Sequence, residues 1–152
     1  MLKLNLPSYD YLIKKENDSI YIYDPVRKKY ILLTPEEWVR QHFLNYLIAY
    51  ISVPITMISV EASLKYNKLL KRADILVYSN NGLPLLLVEC KAPTVQLSTD
   101  TLLQLSIYNK NLNAPSLAIT NGLTNYYWKK YRGSVTFKIC EMPSDYTEMQ
   151  IL

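Results

Sequence analysis

The sequence predicts an α/β fold, a mixed β-sheet flanked by helices, and three observations carry that expectation. Hairpin signals recur along the chain, two segments have helical patterning, and one of those helices separates two aliphatic strands, the crossover a parallel pair requires. In order, the elements are strand, strand, helix, three strands, helix and three more strands.

"SIYIYDPVRKKYILL" is rich in Ile and Tyr on both sides of "DPVRKK", which is turn chemistry, so it reads as an opening hairpin. In "LTPEEWVRQHFLNYLIAYI", Thr34 is the N-cap, Pro35 takes the first helical position and Glu37 stands three residues after the cap. This is a capping box that opens a long helix with a buried, apolar second half. Pro54 ends it, and "ITMISVEASL" has the β-branched content of a strand. "KYNKLLKR" reads as a basic connector. "ADILVYS" and "LPLLLVECK" flank "NNG", a tight-turn signal, and pair as an antiparallel hairpin. "LSTDTLLQLSIYNKNL" is the second helix, capped by Ser98 or Thr99, with Asp100 favouring its positive end. It crosses over to "PSLAITNG", which lies parallel to "LLLVECK", and "TNYYWKKYRGSVTFKICEM" closes the sequence as a polar-edged hairpin.

With 152 residues and no repeat, low-complexity stretch or linker, the expectation is one domain over 1–152. Residues 1–33 form an N-terminal extension and opening hairpin, 34–140 the core and 141–152 a tail. Cys90 and Cys140 need no disulfide in a chain of this size and read as reduced thiols of a cytoplasmic protein. The longest apolar stretch is interrupted by Asn45, Ser52, Pro54 and Ser59, so no membrane partner is expected, and the N-terminus lacks a signal-peptide pattern. Three glycines leave no room for a Walker A loop or a dinucleotide fingerprint. A net charge of +4 tolerates a polyanion without demanding one.

The strand "PLLLVECKAP" ends in Glu89 and Lys91, which share one face while Cys90 takes the other. Ionised groups at the rim of a core persist when they are paired or bind metal. A hairpin turning at "NNG" brings Asp74, at the start of its partner strand, beside Glu89. Two carboxylates and an ammonium make a hard, oxygen-rich site suited to Mg²⁺. Asp74 and Glu89 would be its ligands and the Cys90 main-chain carbonyl a further one, with Lys91 orienting water or neutralising a phosphate.

Asp74 followed by Glu89-x-Lys91 resembles the PD-(D/E)xK nuclease signature. More narrowly, "TPEEWVRQ", "RADILVY", "LLLVECKAP", the helix with Gln104 and Tyr108 four apart, and "AITNG" together resemble the N-terminal nuclease-like domain of type I restriction enzyme R subunits and its free-standing relatives, over roughly positions 30 to 130. The resemblance implies a restriction-endonuclease-like fold that cuts DNA phosphodiesters with Mg²⁺, with Mn²⁺ as a substitute. It implies catalytic roles for Asp74, Glu89 and Lys91, metal assistance by Glu37, and a QxxxY element in Gln104 and Tyr108. Ala73 replaces the usual Pro, and no translocase follows, so the expectation is a stand-alone or accessory nuclease. Its partners would be DNA, other restriction or repair subunits, or a second copy of itself.

Each residue also has a plainer reading. Asp74, Glu89 and Lys91 could be a structural ion-pair cluster, Glu37 only a capping residue, and Gln104 with Tyr108 a polar helix face. Arg40 and Gln41 could contact phosphate or pair with Glu37. Lys65, Lys68, Lys71 and Arg72 could guide a nucleic-acid backbone or simply be solvated. His42, the only histidine, excludes a histidine metal triad, and the 14 tyrosines could stack bases or edge the sheet. The alternative function is a catalytically inactive nucleic-acid-binding or assembly module with the same fold.

Overall fold

A computed structural model describes residues 2–66 and 69–151, with side chains in 62–72 outside the description. It has the expected α/β character, with a six-stranded mixed sheet and a separate three-stranded sheet.

The opening hairpin forms from β2 (Ser19–Asp24) and β3 (Lys29–Leu32), and β1 (Ile13–Glu16), which the sequence did not announce, adds antiparallel to β2. Helix α1 (Pro35–Asn45) starts where the cap predicts, with Thr34 Oγ1 accepting from the Glu37 amide at 3.1 Å. Only that half of the capping box forms. The Thr34 amide donates to the Leu32 carbonyl, and the Glu37 carboxylate is drawn to arginines. The helix passes into a π-helical turn over Tyr46–Tyr50, and a 3₁₀ turn over Ile55–Met57 follows Pro54.

The large sheet runs β4 (Ile58–Tyr66), β5 (Leu69–Tyr78), β6 (Pro84–Cys90), β7 (Ser116–Thr120), β8 (Asn125–Lys129) and β9 (Lys138–Cys140), neighbours in space in the order of the sequence. The β6–β7 pair is parallel and the others are antiparallel. Helix α2 (Thr99–Leu112) makes the parallel crossover, with Ser98 as its N-cap and Asn113 as a left-handed C-cap at φ +53°. A short α3 (Tyr146–Met149), capped by Asp145, ends the fold. The expected basic connector over 65–72 is corrected. Strands β4 and β5 stay paired out to Tyr66 and Leu69, because an antiparallel ladder satisfies its backbone groups whatever the side chains are. The backbones of Lys65, Lys71 and Arg72 belong to this ribbon, while their side chains, and all of Lys68, lie outside the described residues.

Both faces of the sheet are covered. Phe43 and Leu44 of α1, with Leu47 of the following π-helical turn, join Ile75, Val77, Leu86, Val88 and Cys90 on one side. Leu105 of α2 meets Leu76, Leu87, Leu117 and Ile119 on the other. Strands buried twice over read as continuous aliphatic runs, which is why "PLLLVEC" and "SLAIT" show no alternation. Among the described residues no helix is long and apolar enough to cross a membrane.

Candidate active site

The β5–β6 register pairs Ile75 with Val88, so one step further Asp74 stands opposite Glu89. Asp74 is held in orientation by two short bonds. Its Oδ2 accepts the Cys90 amide at 2.6 Å and its Oδ1 accepts Arg40 Nη2 of α1 at 2.7 Å. Each oxygen keeps a second lone pair, so the carboxylate is fixed without being exhausted. Glu89 accepts Lys91 Nζ at 2.5 Å, and the Lys91 backbone is pinned to the end of β7 by its amide donating to the Thr120 carbonyl. The Cys90 thiol is fully buried in the α1-side core, and burial pushes its pKa well up, so this residue offers the site its main chain only.

A third carboxylate belongs here. Glu36, at the first turn of α1, accepts Arg40 Nη2 at 3.1 Å, the same nitrogen that holds Asp74. Burial and then the Asp74 charge raise the Glu36 pKa, and Glu89 is raised for the same reasons, despite Lys91. Burial pulls the Lys91 ammonium down, but its bond to Glu89 and the charges of Glu89, Asp74 and Glu36 outweigh that, leaving its pKa above the ordinary value. The four groups therefore sit in one another's field, with more negative charge than they readily tolerate.

Glu37 lies on the other side of this arrangement. Its Oε1 accepts Arg27 Nη2 at 2.6 Å and Gln41 Nε2 at 2.8 Å, and its Oε2 accepts Arg40 Nη1. Behind it, fully buried Asp24 accepts the Val26 and Arg27 amides at 2.8 and 2.7 Å, along with Arg27 Nε and Gln41 Nε2. Glu61 adds a bond to Arg27 Nη1 at 3.0 Å from a backbone at φ +51°, an unusual conformation inside a strand. The expectation of Glu37 as a metal-assisting residue thus meets a carboxylate already occupied by three side-chain donors, and Glu36 takes the place facing Asp74. The Glu36–Arg40 i,i+4 spacing was the sequence signal for this, masked by the stronger capping-box pattern at Glu37.

On α2, Gln104 is exposed and Tyr108 is half-buried against the apolar cluster that contains Ala73, the neighbour in sequence of Asp74, and Leu87, two residues before Glu89. His42 packs with Tyr9, Tyr11 and Trp38, away from the carboxylates.

Among the described residues no three His, Cys, Asp or Glu side chains make a ready metal cage. Mg²⁺ is usually held by one or two carboxylates, with waters and a substrate phosphate completing the octahedron. The oxygen donor set and the raised pKa values of Glu36 and Glu89 fit such an ion, whose charge would relieve their repulsion.

The fold and this cluster define an α/β protein with acidic and basic side chains gathered where the pairing of β5 with β6 ends, at Asp74 within β5 and Glu89 and Lys91 at the end of β6. Residues 35–143 match the family described as the type I restriction enzyme R protein N terminus, and the chain belongs to that family. No curated protein matches the chain.

Proposed function

We propose that this protein is a metal-dependent deoxyribonuclease of restriction type, acting on DNA phosphodiesters. The observation that supports it most is the electrostatic coupling of Glu36 on α1, Asp74 within β5, and Glu89 and Lys91 at the end of β6, where each carboxylate raises the charge burden of the next. Asp74 and Glu89 would hold Mg²⁺ or Mn²⁺, with the Cys90 carbonyl as a further donor and Glu36 beside them. The ion supplies Lewis-acid charge on the phosphodiester. Asp74 contributes a carboxylate oriented in advance by Arg40 and the Cys90 amide, so little freedom is lost when substrate arrives. Without the ion, the bond to Glu89 and the surrounding carboxylates favour the charged form of Lys91, which makes it a hydrogen-bond donor and a positive charge at the site. Its role is to orient the attacking water and to meet the negative charge that builds on the phosphate during in-line displacement.

The test is plasmid cleavage with Mg²⁺ or Mn²⁺ against EDTA. Asp74→Asn and Lys91→Ala are each expected to lower the rate by about 100-fold or more, the scale for removing a charge-stabilising group. Cleavage that survives Lys91→Ala at the wild-type rate removes Lys91 from the mechanism.

A second reading has its own support. Asp74 and Glu89 already have protein cations, Arg40 and Lys91, so a module that binds DNA or partner subunits without turnover would need no ion. Calorimetry separates the two readings, because DNA binding without any Mg²⁺ or Mn²⁺ binding favours the inactive module.

A further inference from the structure

We propose that Arg40 is a positioning residue that sets Asp74 and Glu36 in place, backed by Glu37 and Arg27 from outside the strand ends. The inference builds on the metal-dependent reading above. One guanidinium bonds Asp74 Oδ1 at 2.7 Å and Glu36 Oε1 at 3.1 Å through Nη2, and Glu37 through Nη1. Its side chain is 6% exposed, so the bonds to Asp74 and Glu37 are made largely away from water, where they are stronger and more directional, while Glu36 reaches it from the solvent side. Among the described residues its buried Nε has no hydrogen-bond partner. Stability alone does not favour that arrangement, since an unmet buried donor costs about 1–3 kcal/mol. The side chain has given up one donor to bring its two terminal nitrogens onto three carboxylates.

The planar fork also explains why arginine is used. A single ammonium cannot hold Glu37 and Asp74 at separate nitrogens, whereas a guanidinium presents fixed donors to both. Glu37 in turn is anchored by Arg27, and Arg27 by Asp24, in the β2–β3 turn. A line of charge-assisted bonds therefore runs from the three-stranded sheet, which precedes residue 35 and so lies outside the family match, to the carboxylate of β5.

Two readouts test this, one of them free of metal. The Cys90 amide donates to Asp74 Oδ2 at 2.6 Å, so its proton resonance reports where Asp74 sits. In Arg40→Met under EDTA, the Cys90 amide is expected to move upfield while the Val88 amide, in the β5–β6 ladder, stays put. Mn²⁺ alone, followed by electron paramagnetic resonance, is expected to bind about tenfold more weakly to Arg40→Met, with partial recovery in Arg40→Lys, as for other residues that orient metal ligands. A folded Arg40→Met with an unmoved Cys90 amide overturns the proposal. Should Arg40→Met fail to fold, Arg40→Lys decides. An intermediate Cys90 shift supports positioning by the fork, and a wild-type resonance with wild-type Mn²⁺ affinity overturns it. Wild-type protein that binds no Mn²⁺ sinks the nuclease reading, and the amide then judges Arg40 by itself.

Discussion

His42 lies among three aromatic rings, with centroids of Trp38, Tyr9 and Tyr11 at 4.0, 5.0 and 6.3 Å, and its Nδ1 is 2.9 Å from the Trp38 carbonyl. A carbonyl only accepts, so Nδ1 carries the proton in the neutral ring. Burial lowers the His42 pKa, and the bond to Trp38 only partly opposes it. The folded chain thus binds fewer protons at this ring than the unfolded chain. The contribution to stability is present above the ordinary histidine value of about 6.5 and is lost as pH falls from there through the lowered folded value. His42→Gln, which keeps a donor but cannot gain charge, is expected to flatten that part of the pH-stability curve in urea denaturation. An unchanged curve would place the acid sensitivity elsewhere. Composition gave no sign of this, because a lone histidine in a helix looks the same whether it faces rings or water.

Among the elements, α1 has the clearest sequence signature and the most to organise. Its start follows from Thr34 and Pro35, and Thr34→Ala is expected to cost about 1 kcal/mol, as for other N-caps. That corresponds to a melting-temperature drop of roughly 2–4 °C in a chain of this size, readable by circular dichroism. A smaller loss would mean that packing of Trp38, Val39 and Phe43 fixes the first turn without the cap. The β5–β6 hairpin was equally legible. The "NNG" turn announces the hairpin, and a register shift between Val77 and Tyr78 then decides the pairing that brings Asp74 opposite Glu89. Only the far part of the β4–β5 ribbon, over 65–72, looks like a connector in the sequence, because its lysines obscure the strand pattern. β1 and α3 were not read at all, being four residues each and stabilised by neighbours rather than by their own propensity.

At the scale of the molecule, five carboxylates, Asp24, Glu36, Glu37, Glu61 and Asp74, share two guanidiniums, those of Arg27 and Arg40, between the small sheet, α1 and the large sheet. An added divalent cation that binds the folded chain alone stabilises it by mass action, by about 2.7 kcal/mol at one hundred times its dissociation constant. The expected outcome is a rise in melting temperature of roughly 5–10 °C with saturating Mn²⁺, absent in Asp74→Asn. An equal rise in that variant would show that the ion binds somewhere else. The same excess of acid tells against a site built for stability alone, since buried charge clusters are often no better than well-packed apolar residues.

The sequence by itself determined the class of fold, the order of most strands, the start of α1 and the hairpin that brings the strand of Asp74 beside the strand of Glu89. All of these follow from local turn, cap and hydrophobic patterns within a few residues of one another. Only the tertiary structure decided which of two adjacent glutamates is turned toward Asp74. The rotation of α1 is set by the burial of Trp38, Val39, Phe43 and Leu44, and by Arg40 reaching Asp74 34 positions along the chain. Neighbours in sequence on a helix point about 100° apart, so the packing that turns Glu36 toward Asp74 necessarily turns Glu37 away into the arginines.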